Sequence, residues 1–263
     1  MLVIPFPNIN PYIVRFGELG ITWYSLSYVT GILLAWQYAV FLIKKFNSKI
    51  TTSQLDDFVT YTIIGIIAGG RLGHVLLYEP LKFLANPIEI FQTYKGGMSF
   101  HGGLLGVIVA SIYFSKKNKI EFFSLLDIAA LVAPIGLFLG RIANFINGEL
   151  YGDYTTLPWG VIFPDGGDLP RHPSQLYEAI SEGLLLFLAL NYLAIKRFYI
   201  SYAGLISGYF LVLYGLARIF CEIFRVPDFV IFGLSSGQFY SIPIGIYGVY
   251  LILARYGNKR YHS

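Results

Sequence analysis

The strongest constraint in this chain is the recurrence of apolar runs, because a helix needs about 20 mostly apolar residues to cross a bilayer. Seven such stretches follow one another: Ile21 to Ile43, Leu55 to Leu77, Phe100 to Phe114, Leu125 to Ile146, Gln175 to Ile195, Tyr202 to Phe224 and Phe239 to Ala254. The third is short; it either extends back through Gly96, Gly97 and Met98 or forms a partly re-entrant element shielded by other helices. Composition agrees, with 56% hydrophobic and only 13% charged residues, where an ordinary soluble domain is about 25% charged. That excludes disorder and leaves too little charge to cover a soluble surface. The expected fold is an all-α integral membrane protein of about seven transmembrane helices, forming one polytopic domain over residues 1–263.

Basic residues in short connections set the orientation, since they favour the cytoplasmic side. Lys44, Lys45, Lys49, Lys116, Lys117, Lys119, Lys196, Arg197, Arg255, Lys259 and Arg260 follow spans one, three, five and seven, on one side of an alternating topology. Arg15, Lys82, Lys95, Arg171 and Arg225 fall on the other. The N-terminus is therefore expected outside and the C-terminus in the cytoplasm. The opening MLVIPFPNINP contains three prolines and precedes the first basic residue, Arg15; it reads as an interfacial arm rather than a helix or a cleavable signal. The long connections, Tyr78 to Ser99 and Gly148 to Ser174, lie on the outer side. Within the second, the run Trp159 to Phe163 is expected as a strand of a small extramembranous cap.

Polar groups inside the spans are costly and mark either a site or a packed interior. Arg71 with His74, Arg141 with Asn144, and Arg218 with Glu222 fall at the outer ends of outward-running spans, and His101, Trp23 and Tyr24 fall at the outer starts of inward-running ones. Taken singly, Arg218 and Glu222 can be a self-neutralising i,i+4 pair, and Arg71 can snorkel to the headgroups. Their shared depth argues for one outward-facing site. Cys221, alone in the chain, has no disulfide partner and reads as inert packing.

The run GRIANFINGELYG, Gly140 to Gly152, carries Arg141, Asn144, Asn147 and Glu149 at a helix exit. Arginine's planar fork suits a phosphate and stays charged. These thirteen residues resemble the signature of the prolipoprotein diacylglyceryl transferase family. The similarity extends to Trp23 and Tyr24, Gly70-Arg71, Gly97 to Gly103, Arg171 to Glu178, and Arg218 with Glu222, Arg225, Pro227 and Asp228. The resemblance implies a multi-pass enzyme of the bacterial cell membrane with its active site toward the outer leaflet. Such an enzyme moves the diacylglyceryl group from phosphatidylglycerol to the lipobox cysteine of a preprolipoprotein, forms a thioether and releases glycerol phosphate. By position, it implies functional roles for Tyr24, His101, Arg141, Asn144, Glu149, Gly152, Arg218 and Glu222.

Thioether formation needs a base for the thiol and stabilisation of the leaving phosphate. The expected roles are His101 as thiol base and Arg141 with Arg218 as phosphate clamp. Glu149 and Glu222 would orient the arginines, Asn144 would bond the phosphate or glycerol head, and Tyr24 would position the lipid. Arg71 and Gly152 are expected in the substrate-binding set. Arg171-His172 either contacts headgroup or signal peptide, or braces its loop. His74, His101, His172 and His262 lack metal-ligand spacing, so neither a metal nor another cofactor is expected. The expected partners are phosphatidylglycerol and lipobox signal peptides in the membrane, not nucleic acid. A secondary transporter is the rival reading; it draws on the echo between Gly70-Arg71 and Gly140-Arg141 but is weakened by an odd number of spans.

Overall fold

The computed structural model describes residues 4–7, 9–16, 19–46, 48, 50–93, 96–196, 199–227 and 229–259. Lys49, Lys95, Arg197, Asp228, Arg260 and His262, which enter the charge and motif arguments above, lie outside the described residues. The long helices are α1 (Trp23–Lys45), α2 (Thr52–Leu77), α4 (Phe100–Asn118), α5 (Phe122–Ile146), α8 (Leu205–Cys221) and α9 (Ser236–Lys259). Between α2 and α4 lies the short α3 (Pro80–Ala85). A further membrane-length helix is composite: α6 (Ser174–Glu178), a π-helical turn (Ala179–Leu185) and α7 (Leu186–Lys196).

Among the described residues, six segments are long and apolar enough to cross a membrane: α1, α2, α5, Ser174–Lys196, Leu205–Phe224 and Ser236–Tyr256. The expected seventh, α4, forms as a helix but falls short in apolar content. It carries Gly102, Gly103 and Gly106 near its start and ends on Lys116 and Lys117.

The chain packs as two compact units, residues 1–39 with 127–263, and residues 40–126. In the second unit, α2 and α4 pack backbone to backbone. Gly65, Gly69 and Gly73 recur every four residues along one face of α2; a Cβ at any of them would run into Gly102 or Gly106 of α4. Small residues at such spacing let helices approach closely in lipid, where dispersion rather than the hydrophobic effect holds them together. Phe58 and Phe114, both buried, close the far end of this seam with ring centroids 5.4 Å apart. A capping box starts α2, with Thr51 Oγ1 accepting from the Gln54 amide and Gln54 Oε1 from that of Thr51. Ser99 caps α4 through the Gly102 amide.

In the first unit, α8 packs on α9 in a similar way, and a Cβ on Gly248 would lie 2.8 Å from the Gly208 carbonyl oxygen. The start of α8 is capped from another helix. Asp127 of α5, fully buried, accepts from the Gly204 and Ser207 amides and from Ser207 Oγ at 2.6–2.7 Å. A carboxylate there satisfies exposed helix N–H groups and complements the helix dipole.

Strands are confined to short pieces. The hairpin β2 (Tyr12–Phe16) with β3 (Leu19–Thr22) precedes α1, and β5 (Val230–Ile231) with β6 (Leu234–Ser235) precedes α9. A strand forms within Trp159 to Phe163, as expected: β4 (Val161–Ile162), paired in parallel with β1 (Ile4–Pro5) of the N-terminal arm.

Candidate active site

The composite helix organises the site. Glu178 ends α6 and Glu182 lies in the π-helical turn that follows, and both carboxylates are fully buried. A π turn is rare and inserts an extra residue into the helix, a feature frequent at functional positions. A buried charge is tolerated only when paired, and here α5, α8 and the turn that follows α8 supply the pairs. Glu178 Oε2 lies 3.1 Å from Arg141 Nε, and its Oε1 accepts from Arg218 Nη1 at 2.6 Å and from Arg225 Nη1 at 2.9 Å. Glu182 is 3.5 Å from both Arg141 Nη2 and Arg218 Nη1.

Arg218 also reaches Glu222, one turn later, at 2.6 Å. Glu222 is fixed from its other side by Ser235 Oγ at 2.6 Å, and a Cβ on Gly237 would overlap its carboxylate. Gly237 thus leaves room for an acid.

The arginines of the cluster differ in how far their donors are committed. Arg218 and Arg225 donate to Glu178 in hydrogen-bond geometry. Arg141 is paired by charge only: Glu178 Oε2, beside its Nε, and both Glu182 oxygens accept no hydrogen bond among the described residues. Its side chain is 19% exposed, so the fork is held in place with donors still to be satisfied.

Past the end of α5, Asn144 and Asn147 both donate to Glu149 Oε1, at 2.8 and 3.3 Å. Gln175 and Ser174 grip the Glu149 and Leu150 carbonyls at 2.6 and 3.0 Å, tying this turn to the start of α6. An open cleft of about 580 Å³ adjoins it, bordered by Asn147, Glu149, Tyr151, Asp165, Arg171 and Val226. Tyr24, in the first turn of α1, lies within electrostatic range of Arg141 and Glu149, and its hydroxyl is 3.2 Å from that of Tyr28.

Of the residues expected from the sequence, Tyr24, Arg141, Asn144, Glu149, Gly152, Arg218 and Glu222 belong to one unit and Arg71 and His101 to the other. His101 stands exposed in the first turn of α4. Glu149 is oriented by the two asparagines, whereas the sequence reading has it orienting an arginine. Gly152 is a packing requirement, since a Cβ there would strike the Phe224 carbonyl and lie 2.8 Å from His172 Cβ.

Arg71 is 6% exposed, and its guanidinium donates to the carbonyls of Ile90, Gly96, Gly97 and Glu89 while lying 5.0 Å from the Phe83 ring. Four of its five N–H donors are therefore engaged by the loop between α2 and α4.

Arg171 is likewise a brace, donating to the Gly166 and Gly152 carbonyls with Tyr154 at 4.0 Å and Tyr151 at 5.1 Å from its guanidinium. Beside it, burial holds the His172 pKa below the ordinary histidine value. Tyr177 Oη accepts from Trp159 at 2.7 Å and lies 3.2 Å from His172 Nδ1, which suits a neutral ring.

Glu182 escaped the sequence reading altogether, and Glu178 entered it only as part of a motif. The sequence does carry a signal: two carboxylates four residues apart inside an apolar span are as costly there as the arginines.

This assembly defines a multi-pass helical membrane protein whose arginine–glutamate cluster leaves the Arg141 guanidinium without an aligned acceptor among the described residues. The family described as Prolipoprotein diacylglyceryl transferase matches residues 11–254. A Rickettsia felis protein named "Phosphatidylglycerol--prolipoprotein diacylglyceryl transferase" is 58% identical over 251 residues, covering 94% of this chain and 97% of its own. A Rickettsia bellii protein of the same name is 58% identical over 252 residues, with 94% and 96% covered. The chain belongs to the prolipoprotein diacylglyceryl transferase family.

Proposed function

We infer that this transferase moves the diacylglyceryl group of phosphatidylglycerol to the thiol of the lipobox cysteine in preprolipoproteins, the first step of bacterial lipoprotein maturation. The observation that carries this reading is the state of Arg141, charge-paired with Glu178 and Glu182 yet with no hydrogen-bonded partner among the described residues. A phosphodiester oxygen can take those donors bidentately.

In the reaction the thiol sulfur attacks the glyceryl carbon esterified to phosphate. The carbon–oxygen bond breaks, its electron pair stays on the phosphate, and glycerol phosphate departs. Arg141 and Arg218 stabilise the growing charge in a low-dielectric setting, where fixed donors are most effective. Glu178 orients both arginines, and Glu222 holds Arg218 from the other side.

Glu149, gripped through Oε1 by Asn144 and Asn147, offers its other oxygen to the glycerol headgroup. Tyr24 positions the lipid. The thiol proton goes to His101, an assignment that rests on the family resemblance and on histidine's suitability as a base near neutral pH. Arg71 leaves the substrate-binding set and acts as the brace of its loop.

Seven crossings, with α4 as the seventh, place the N-terminus outside and the C-terminus in the cytoplasm. In that topology the cluster faces the outer leaflet of the bacterial cell membrane, where secreted acceptors arrive.

The test is product analysis. Purified protein mixed with headgroup-labelled phosphatidylglycerol and a lipobox peptide should release glycerol phosphate and lipidate the peptide. Intact protein that releases none across several lipid and detergent conditions would contradict the reading.

A further inference from the structure

The cluster has a charge count that bears on how an anionic lipid enters it. Arg141, Arg218 and Arg225 face Glu178, Glu182 and Glu222, so the resting cluster is neutral when all six groups are ionised. A phosphodiester brings one further negative charge into a buried environment, where an uncompensated charge is strongly disfavoured. The surplus is relieved if one carboxylate takes up a proton.

The three acids are unequal in what protonation would cost them. Glu178 holds three arginines at 2.6–3.1 Å, and Glu222 holds Arg218 at 2.6 Å and the Ser235 hydroxyl at 2.6 Å. Glu182 sits 3.5 Å from its nearest cations, is fully buried, and accepts no hydrogen bond at either oxygen among the described residues. The titratable or charged groups facing it are Arg141 from α5, Tyr214, Arg218 and Cys221 from α8, and Glu178 on its own helix. Both arginines in that set are the proposed phosphate clamp. As their charge turns toward the lipid, Glu182 loses counter-charge, and a buried carboxylate without counter-charge favours its protonated form.

We propose that Glu182 is the proton acceptor of lipid binding: it takes one proton from solution when phosphatidylglycerol enters the cluster and returns it when the anion leaves. No bond of the substrate changes in this step. Glu182 acts through Arg141 and Arg218, as a positioning residue whose protonation state is linked to occupancy. The inference rests on the functional reading above and goes further by specifying the proton stoichiometry of binding.

By linkage, uptake of one proton per lipid makes affinity fall up to about tenfold for each pH unit of rise across the titrating window. Titration calorimetry of the purified full chain with short-chain phosphatidylglycerol, in two buffers of different ionisation enthalpy, reads the uptake directly. The expected result is about one proton per lipid bound near neutral pH for the unaltered protein. Glu182→Gln, which mimics the protonated acid, should bind with no uptake and with an affinity nearly independent of pH. Binding and turnover without proton uptake in the unaltered protein overturn this inference alone. Uptake that persists in Glu182→Gln overturns it too, by assigning the proton elsewhere. A protein that neither binds the lipid nor releases glycerol phosphate overturns the functional reading and this inference together. The unaltered protein suffices to test the stoichiometry if the variant does not fold.

Discussion

Gly70-Arg71 and Gly140-Arg141 are the same dipeptide near the ends of long apolar helices, yet their arginines do opposite things. Arg71 spends its donors on the carbonyls of Ile90, Gly96, Gly97 and Glu89. Arg141 faces two buried carboxylates and has no aligned acceptor among the described residues. A cage of neutral carbonyls satisfies a guanidinium and makes it part of a loop. A set of carboxylates with imperfect geometry balances the charge and leaves the directional bonds to be made. An arginine within an apolar span is thus a candidate for phosphate binding through what remains unsatisfied, not through burial alone.

The most damaging way to break this contrast is to remove the residue that makes the second region different. Glu178→Ala leaves Arg141, Arg218 and Arg225 short of a buried counter-charge, and breaking such a network costs about 3–5 kcal/mol. A large fall in unfolding midpoint in detergent, with activity lost, is the expected outcome.

Next comes the arginine pair itself. Arg141→Gln should lower diacylglyceryl transfer by about 10²–10³-fold, the usual effect of losing a donor to a developing anion, with little change in unfolding midpoint. Arg141→Lys should also fail, because a point charge does not replace a bidentate fork. Arg71→Gln should show the reverse pattern. It loses about 2–4 kcal/mol of stability through several charge-assisted hydrogen bonds, and its folded fraction keeps most of its turnover.

A smaller effect comes from a buried acid with no arginine in its contacts described above. Asp127→Asn weakens the cap on α8 and should cost about 1–2 kcal/mol, read by thermal unfolding, with activity following only the folded fraction.

The smallest effect concerns His172. Burial lowers its folded-state pKa, so the unfolded chain binds more protons below about pH 6.5. Its contribution is therefore complete above that pH and is lost as pH falls toward the lowered folded value. His172→Gln should flatten that part of the stability-against-pH curve.

Much of this architecture was legible in the sequence because a membrane-length helix is a blunt signal. The predicted span Leu125 to Ile146 became α5 at Phe122–Ile146, and Gln175 to Ile195 became Ser174–Lys196. Arg141, Arg218 and Glu222 were also visible, since ionisable groups in apolar spans are conspicuous. What escaped depends on three-dimensional pairing. Counting apolar residues passes over Glu178 and Glu182 inside a long hydrophobic run, and the π turn that carries Glu182 has no simple periodic signature. Arg71 carries the same sequence signal as Arg141; only the fold brings the carbonyls of Glu89, Ile90, Gly96 and Gly97 onto its guanidinium. Gly237 carries no signal in the sequence, because its role depends on the Glu222 carboxylate occupying the space its missing side chain leaves.

The most direct test of the central claim, that the Arg141 and Arg218 cluster receives the lipid phosphate, is photocrosslinking. A phosphatidylglycerol analogue with a photoreactive headgroup would be activated in the presence of the full-length protein and its adducts mapped by peptide mass spectrometry. The account predicts adducts on the final turns of α5, on the Glu149 turn and around Arg218 to Arg225, competed by unlabelled phosphatidylglycerol. Adducts confined to residues 79–99 around Arg71, with none on those segments, would contradict it.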